Sequence, residues 1–166
     1  MFRIAKRFTF DAGHRLAKHP ELCRFPHGHT YTVEVVLRGA GLDANDMVCD
    51  YGVLKAAVRR HLERLDHAML LSPDDPERGR FAPFAERVVV LDDGDPTAEV
   101  IARSIFNGVR ESLRPGTAMT SPGGVVYTVP AGVVVERVRV WETPTSWAEY
   151  GEEETGSGVG GPGSGG

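Results

Sequence analysis

Cysteine is scarce in this 166-residue chain: there are two, Cys23 and Cys49. That excludes a disulfide framework as the source of stability, and a free Cys23 thiol suits a reducing compartment. Cys49 reads as a small buried apolar side chain. Long hydrophobic runs are missing too. No stretch is long enough to span a bilayer, and Met1-Phe2-Arg3-Ile4-Ala5-Lys6-Arg7-Phe8 mixes charge with apolar residues instead of forming a signal-peptide core. A cytoplasmic protein with no membrane partner is expected. Basic charge is also lacking: the net charge of −4 denies the chain the broad electrostatic attraction by which nucleic-acid binders work, so no nucleic-acid partner is expected and any anion must be held locally. What is present, 41% hydrophobic and 25% charged residues, suits one globular domain with a core of useful size. That domain is expected over residues 1–150. From 151 to 166 a glutamate run gives way to Gly, Ser and Pro with almost nothing to bury, which reads as a disordered tail.

Residues 2–10 and 29–38 alternate as two half-buried strands, the first interrupted at Lys6. From Tyr51 to Leu65, Val53, Leu54, Ala57, Val58, Leu62 and Leu65 recur at helical spacing, and Asp50 stands where a carboxylate caps free N–H groups. Residues 72–96 read as a long loop around a short strand, Val88–Leu91. A second helix is expected from about Thr97, a suitable N-cap, to Leu113, with Val100, Ile101, Ile105, Val109 and Leu113 inward. Arg114-Pro115-Gly116 ends it, and 125–129 and 133–142 read as strands. The order is strands, two helices, strands.

The densest chemistry lies in the connection between the first two strands. His14, Cys23, His27 and His29 fall within sixteen residues. His27 and His29 are two apart at the head of a strand, so both imidazoles project from one face and can chelate one ion. Three imidazoles with no obligatory fourth protein ligand match the open, catalytic type of zinc site. Two plainer readings stand beside it: Cys23 as a fourth ligand sealing a structural site, or an ordinary polar stripe on a solvated strand. Asp66-His67 at the end of the first helix either complements the helix dipole or forms an imidazole relay oriented by a carboxylate. Thr97 and Glu99 open the second helix. Glu142 follows the apolar Val138-Arg139-Val140-Trp141, where a carboxylate can accept hydrogen bonds from a guanidine-like heterocycle edge. Arg15, Lys18 and Arg24 lie near the cluster but read as solvated charges.

Six motifs in order, Phe8-x-Phe10-x-Ala12-x-His14-Arg15-Leu16, Cys23-x3-His27-Gly28-His29-Thr30-Tyr31, Met47-Val48-x-Asp50-Tyr51-x-x-Leu54-Lys55, Leu65-Asp66-His67, Pro96-Thr97-Ala98-Glu99 and Trp141-Glu142-Thr143, resemble the 6-pyruvoyltetrahydropterin synthase / 6-carboxytetrahydropterin synthase family. Each is weak alone; the ordered set is specific and spans roughly residues 5 to 150. The resemblance implies an α+β tunnelling fold, a four-stranded antiparallel sheet with two helices on one face, oligomerising into a β-barrel. It also implies a homo-hexamer, a dimer of trimers, with active sites at subunit interfaces. Carried over position by position, His14, His27 and His29 would ligate Zn2+, Cys23 would be the proton-transferring thiol, and Asp66 and His67 its relay. Glu142 would anchor the pterin, with Thr97 and Glu99 shaping the pocket.

The implied substrate is 7,8-dihydroneopterin triphosphate. Loss of acetaldehyde and triphosphate would give 6-carboxy-5,6,7,8-tetrahydropterin, in the queuosine pathway; rearrangement without acetaldehyde loss would give 6-pyruvoyltetrahydropterin. The three-residue gap between Cys23 and His27 resembles the carboxy-forming branch. A folate-pathway branch, which places a glutamate at the active position, is disfavoured by Cys23, although Glu21 is near. A non-catalytic zinc-stabilised binding module and a zinc-dependent cyclohydrolase are the rival readings. Two stretches depart from the compact pattern: residues 72–95 are long, and 117–130 look like an added hairpin.

Overall fold

The structure, a computed structural model, describes residues 1–120 and 123–152. Two long strands, β1 (Phe2–His14) and β2 (His27–Gly39), pair antiparallel from Phe2 opposite Gly39 to His14 opposite His27. Both run further toward the intervening loop than alternation alone suggests, because the histidines continue the ladder. Directly paired residues share a sheet face, so Phe10 with Tyr31, Ala12 with His29 and His14 with His27 all point one way. That face is buried over Phe10, Ala12, His14, Tyr31, Val33, Val35 and Leu37, and the Phe10 and Tyr31 rings stack at 4.9 Å. Arg3 and Arg7 lie on the opposite, exposed face.

Helix α1 (Tyr51–Leu65) buries the six apolar residues its spacing predicts, and the Asp50 carboxylate accepts from the Gly52 N–H at 2.5 Å. Strand β3 (Ala68–Leu71) then runs parallel to β1. It was not foreseen, since four residues carry too little periodicity to separate a strand from a loop. The long connection that follows contains a 3-10 run, Arg78–Arg87, before the short strand β4 (Val88–Val90), parallel to β3. Helix α2 (Ala98–Ser112) starts at Thr97, whose hydroxyl accepts from the Val100 N–H at 3.4 Å. The added hairpin expected over 117–130 is formed by β5 (Ala118–Thr120) and β6 (Val126–Thr128), which pair apart from the main sheet.

Strand β7 (Val134–Thr143) pairs with β2, and β8 (Ser146–Tyr150) pairs with β7. β8 is the second strand that sequence patterning missed. The main sheet has the order β4-β3-β1-β2-β7-β8. The four antiparallel strands β1, β2, β7 and β8 are therefore contiguous, as expected, and β3 and β4 extend them in parallel. α2 packs on β7 and β8, α1 on β1 and β3, and the helices on each other, enclosing one core. The architecture is α+β. No helix among the described residues is long and apolar enough to cross a membrane. From residue 153 onward the expected tail lies outside the described residues.

Candidate active site

The register of β1 and β2 brings His14, His27 and His29 together, each offering a ring nitrogen within 4.8 Å of the others. Ring centroids lie 4.4 Å apart for His14 and His27 and 5.1 Å from each of these to His29. Gly28, between the two β2 histidines, sits so close to β1 that a Cβ there would come within 3.0 Å of the Ala12 carbonyl.

Backbone carbonyls orient two of the rings. His14 Nδ1 donates to the Pro96 carbonyl at 2.7 Å and His27 Nδ1 donates to the Phe25 carbonyl at 2.8 Å. A carbonyl only accepts, so each Nδ1 carries a proton, and in the neutral form of each ring Nε2 carries the lone pair. Those two Nε2 atoms face each other at 3.0 Å. Two lone pairs so close repel, and a cation between them removes the conflict; a tetrahedral zinc ion holds its nitrogen ligands about 3.3 Å apart. Donation of the second ring nitrogen to a carbonyl is also how metal-bound histidines are ordinarily held. Burial, foremost, pulls the His14 pKa down to about 4, with the charges of His27 and His29 adding to it and the Pro96 hydrogen bond opposing. Burial and His27 lower His29 as well. Three convergent imidazoles, two of them with the charged form disfavoured by burial, fit a zinc ion.

Cys23 sits on a 3-10 turn, Leu22–Arg24, partly exposed and outside the histidine cluster. The histidines gather as a group of three without it. Glu142 stands on β7 one register step beyond Trp141, which pairs with Thr32, and so shares the face of Tyr31 and the histidines. Burial, and then the nearby Glu99, raise its pKa, while His27 opposes them. Thr97 and Glu99 are delivered by the first turn of α2, immediately after the Pro96 carbonyl that holds His14. Asp95 secures this segment, its Oδ2 accepting from the Lys18 N–H at 2.8 Å and its carbonyl from the Thr97 N–H at 2.8 Å.

Asp66 and His67 form a clamped corner. The Asp11 N–H donates to Asp66 Oδ1 at 2.9 Å, the His67 N–H to the Asp11 carbonyl at 2.6 Å, and His67 Nδ1 approaches Asp66 Oδ1 at 3.1 Å. The Asp11 hydrogen bond first, and then His67, hold the Asp66 carboxyl below the usual range. His67 adopts φ 57°, a left-handed conformation that costs a non-glycine residue on the order of 1 kcal/mol. Its imidazole is open to solvent, and with His29, Thr30 and Gly13 it lines a shallow depression of about 470 Å³. A second cleft, about 280 Å³, is lined by Arg7, Thr30, Thr32, Trp141, Glu142 and Thr143. Among the described residues no hydrogen bond joins Cys23 to His67 within one chain.

Residues 3–153 match the family described as 6-pyruvoyl tetrahydropterin synthase. The chain belongs to that family. A relative from Haemophilus influenzae, named 6-carboxy-5,6,7,8-tetrahydropterin synthase, is 31% identical over 92% of this chain and 100% of its own length. One of the same name from Rickettsia felis is 29% identical over 90% of this chain and 99% of its own. Among solved structures, an uncharacterized protein of Wolinella succinogenes aligns with TM-score 0.72 and 26% identity, covering 92% of this chain and 98% of that one. A 6-pyruvoyltetrahydropterin synthase of Plasmodium vivax aligns with TM-score 0.63 at 21% identity over 90% and 96%. The tunnelling fold expected of a synthase-family member is thereby established for the monomer.

Three features of this family member's site escaped sequence reasoning. The Pro96 and Phe25 carbonyls are backbone groups, which carry no residue signature. Tyr31, wholly buried, lies against His14 and His29 with a hydroxyl that has no partner among the described residues; burial, and then Glu142, raise its pKa. Arg15 is not a solvated charge: it is buried and paired with Asp75.

Proposed function

We propose that the protein converts 7,8-dihydroneopterin triphosphate to 6-carboxy-5,6,7,8-tetrahydropterin, releasing acetaldehyde and triphosphate. The observation that carries this is the convergence of three imidazoles with Cys23 outside their group, leaving an open position at the cluster and a free, partly exposed thiol on the connection between the two ligand strands. The names of the relatives from Haemophilus influenzae and Rickettsia felis, and the three-residue gap between Cys23 and His27, favour the carboxy-forming branch over the pyruvoyl-forming one. Such a product belongs to the queuosine route, in the cytoplasm.

His14, His27 and His29 would hold Zn2+, whose Lewis acidity would acidify hydroxyl groups on the substrate side chain. Glu142, at the mouth of the buried face, accepts hydrogen bonds from the amino-pyrimidine edge of the pterin. Glu99 and Thr97 border it and set the pocket's polarity. Cys23 takes and returns a proton. His67, its ring held by Asp66, exchanges that proton with solvent. The thiol and the Asp66–His67 pair do not meet within one chain, and the depression beside His29 and His67 is shallow. Both facts favour a homo-hexameric enzyme in which neighbouring subunits close each site. Among the described residues the sheet's outer strands, β4 and β8, each have one unpaired edge in the single chain.

Incubating zinc-loaded protein with 7,8-dihydroneopterin triphosphate without oxygen, followed by mass spectrometry, tests the reading. Carboxytetrahydropterin with acetaldehyde is expected. Pyruvoyltetrahydropterin would move the protein to the other branch, and no turnover with zinc bound would return it to a binding module.

A further inference from the structure

Arg15 immediately follows the ligand His14, yet its side chain is buried at 8% exposure and turns toward the chain that carries the thiol. Its Nε donates to the Arg24 carbonyl at 3.0 Å and its Nη1 to Asp75 Oδ1 at 2.9 Å. The next residue, Leu16, donates its N–H to the Cys23 carbonyl at 2.9 Å. Together with His27 Nδ1 on the Phe25 carbonyl, this takes up three consecutive carbonyls, 23 to 25, by partners from the metal-ligand strands. The turn that presents Cys23 is thus fastened, carbonyl by carbonyl, to the ends of β1 and β2.

Asp75 is the outer support of this bracket. It comes from the long 72–95 connection, is 6% exposed, and is held by the Glu77 N–H, which donates to Oδ1 at 2.8 Å. Its Oδ2 is buried without a hydrogen-bond partner among the described residues. An incompletely satisfied buried ion pair contributes little net stability compared with apolar packing of the same volume. What it supplies is direction: the guanidinium is held at both ends, by the Arg24 carbonyl and by Asp75, so the backbone of the turn that carries Cys23 is anchored to the residue after His14.

We infer that Arg15 and Asp75 are positioning residues that set the Cys23 thiol against the histidine cluster. The inference rests on the reading of Cys23 as the proton-transferring thiol. It assigns the extended 72–95 connection a task in the site, although that segment contributes no group to the chemistry.

Two variants test it. Asp75→Asn keeps the shape and removes the charge. Arg15→Lys keeps a cation facing Asp75 and removes the donor to Arg24. Each is purified zinc-loaded, and zinc content, kcat, KM and the rate of Cys23 alkylation by iodoacetamide are measured. Displacing a reacting group by a fraction of an ångström to an ångström is expected to lower kcat about ten- to a hundred-fold while KM stays within about two-fold. Zinc content stays at the wild-type level, and the loosened turn alkylates several-fold faster. Should Asp75→Asn fail to fold, Arg15→Lys alone decides, because it leaves the buried charge paired. Unchanged kcat and unchanged alkylation in folded protein overturn the inference, as does a joint loss of zinc, kcat and KM, which marks a purely structural pair. If the wild-type protein turns over no pterin, the proposed function fails, while the alkylation comparison still decides whether the bracket positions the thiol.

Discussion

His61 gives the fold a pH dependence that can be worked through in numbers. It lies on α1 against α2, and its ring covers Gly108 so closely that a Cβ added there would come within 2.1 Å of His61 Nδ1. Its Nε2 is buried with no hydrogen-bond partner among the described residues. Burial, with a smaller contribution from the Arg64 charge, pulls its pKa from 6.5 to about 4. A lowered histidine pKa means that the unfolded chain takes up a proton near pH 6.5 while the folded chain resists until about pH 4. The stability associated with the neutral ring is therefore complete above pH 6.5 and is lost as the pH falls toward 4. Linkage puts the loss at about 2 kcal/mol at pH 5 relative to pH 7.5. His14 and His29 shift in the same direction, so the comparison has to be made against His61→Leu, in which their contributions cancel. Urea unfolding of zinc-loaded wild type and variant at pH 7.5 and pH 5 provides it. The variant should equal or exceed the wild type at pH 7.5, since an unpartnered ring nitrogen is gone. The wild type should lose about 2 kcal/mol more than the variant on acidification. Equal losses in the two proteins would refute the assignment of a buried neutral ring between the helices.

Other outcomes follow from the same contacts. Gly108→Ala forces the His61 ring away and should destabilise the protein by about 1–3 kcal/mol in denaturant titration. Tyr31→Phe removes a buried hydroxyl that has no partner among the described residues and should be neutral or stabilising by about 1 kcal/mol; a loss of several kcal/mol would show that the hydroxyl is satisfied. With zinc held by the histidine trio as proposed, chelation restores the crowding of His14 Nε2 against His27 Nε2, so the melting temperature should fall with added chelator and recover with zinc; at a free zinc concentration a hundred times Kd the gain is about 2.7 kcal/mol. Glu142→Gln relieves a carboxylate disfavoured by burial and Glu99, so the fold should hold, and under the proposed pterin-anchoring role KM for 7,8-dihydroneopterin triphosphate should rise at least ten-fold.

Much of this was legible in the chain itself. The helical spacing of Val53 to Leu65 and of Ile101 to Val109 defined both helices within a residue or two, since a fifteen-residue amphipathic stripe repeats its period four times and carries its own caps in Asp50 and Thr97. The metal-competent trio was legible because His27 and His29 share a strand face by spacing alone. β3 and β8 were not, because strands of four and five residues offer too few alternations to stand out from loops. Their existence depends on the neighbours β1 and β7 that offer them hydrogen bonds. Sequence also misread Arg15 as a solvated charge and left open which ring nitrogen His14 and His27 turn to the backbone. Only tertiary structure decided these. The β1–β2 register sets His14 opposite His27, the loop before α2 supplies the Pro96 carbonyl from 82 residues away, and Asp75 reaches Arg15 across 60. Residue type and local periodicity are properties of short windows, whereas tautomer, burial and partner are set by groups that meet only once the chain has folded.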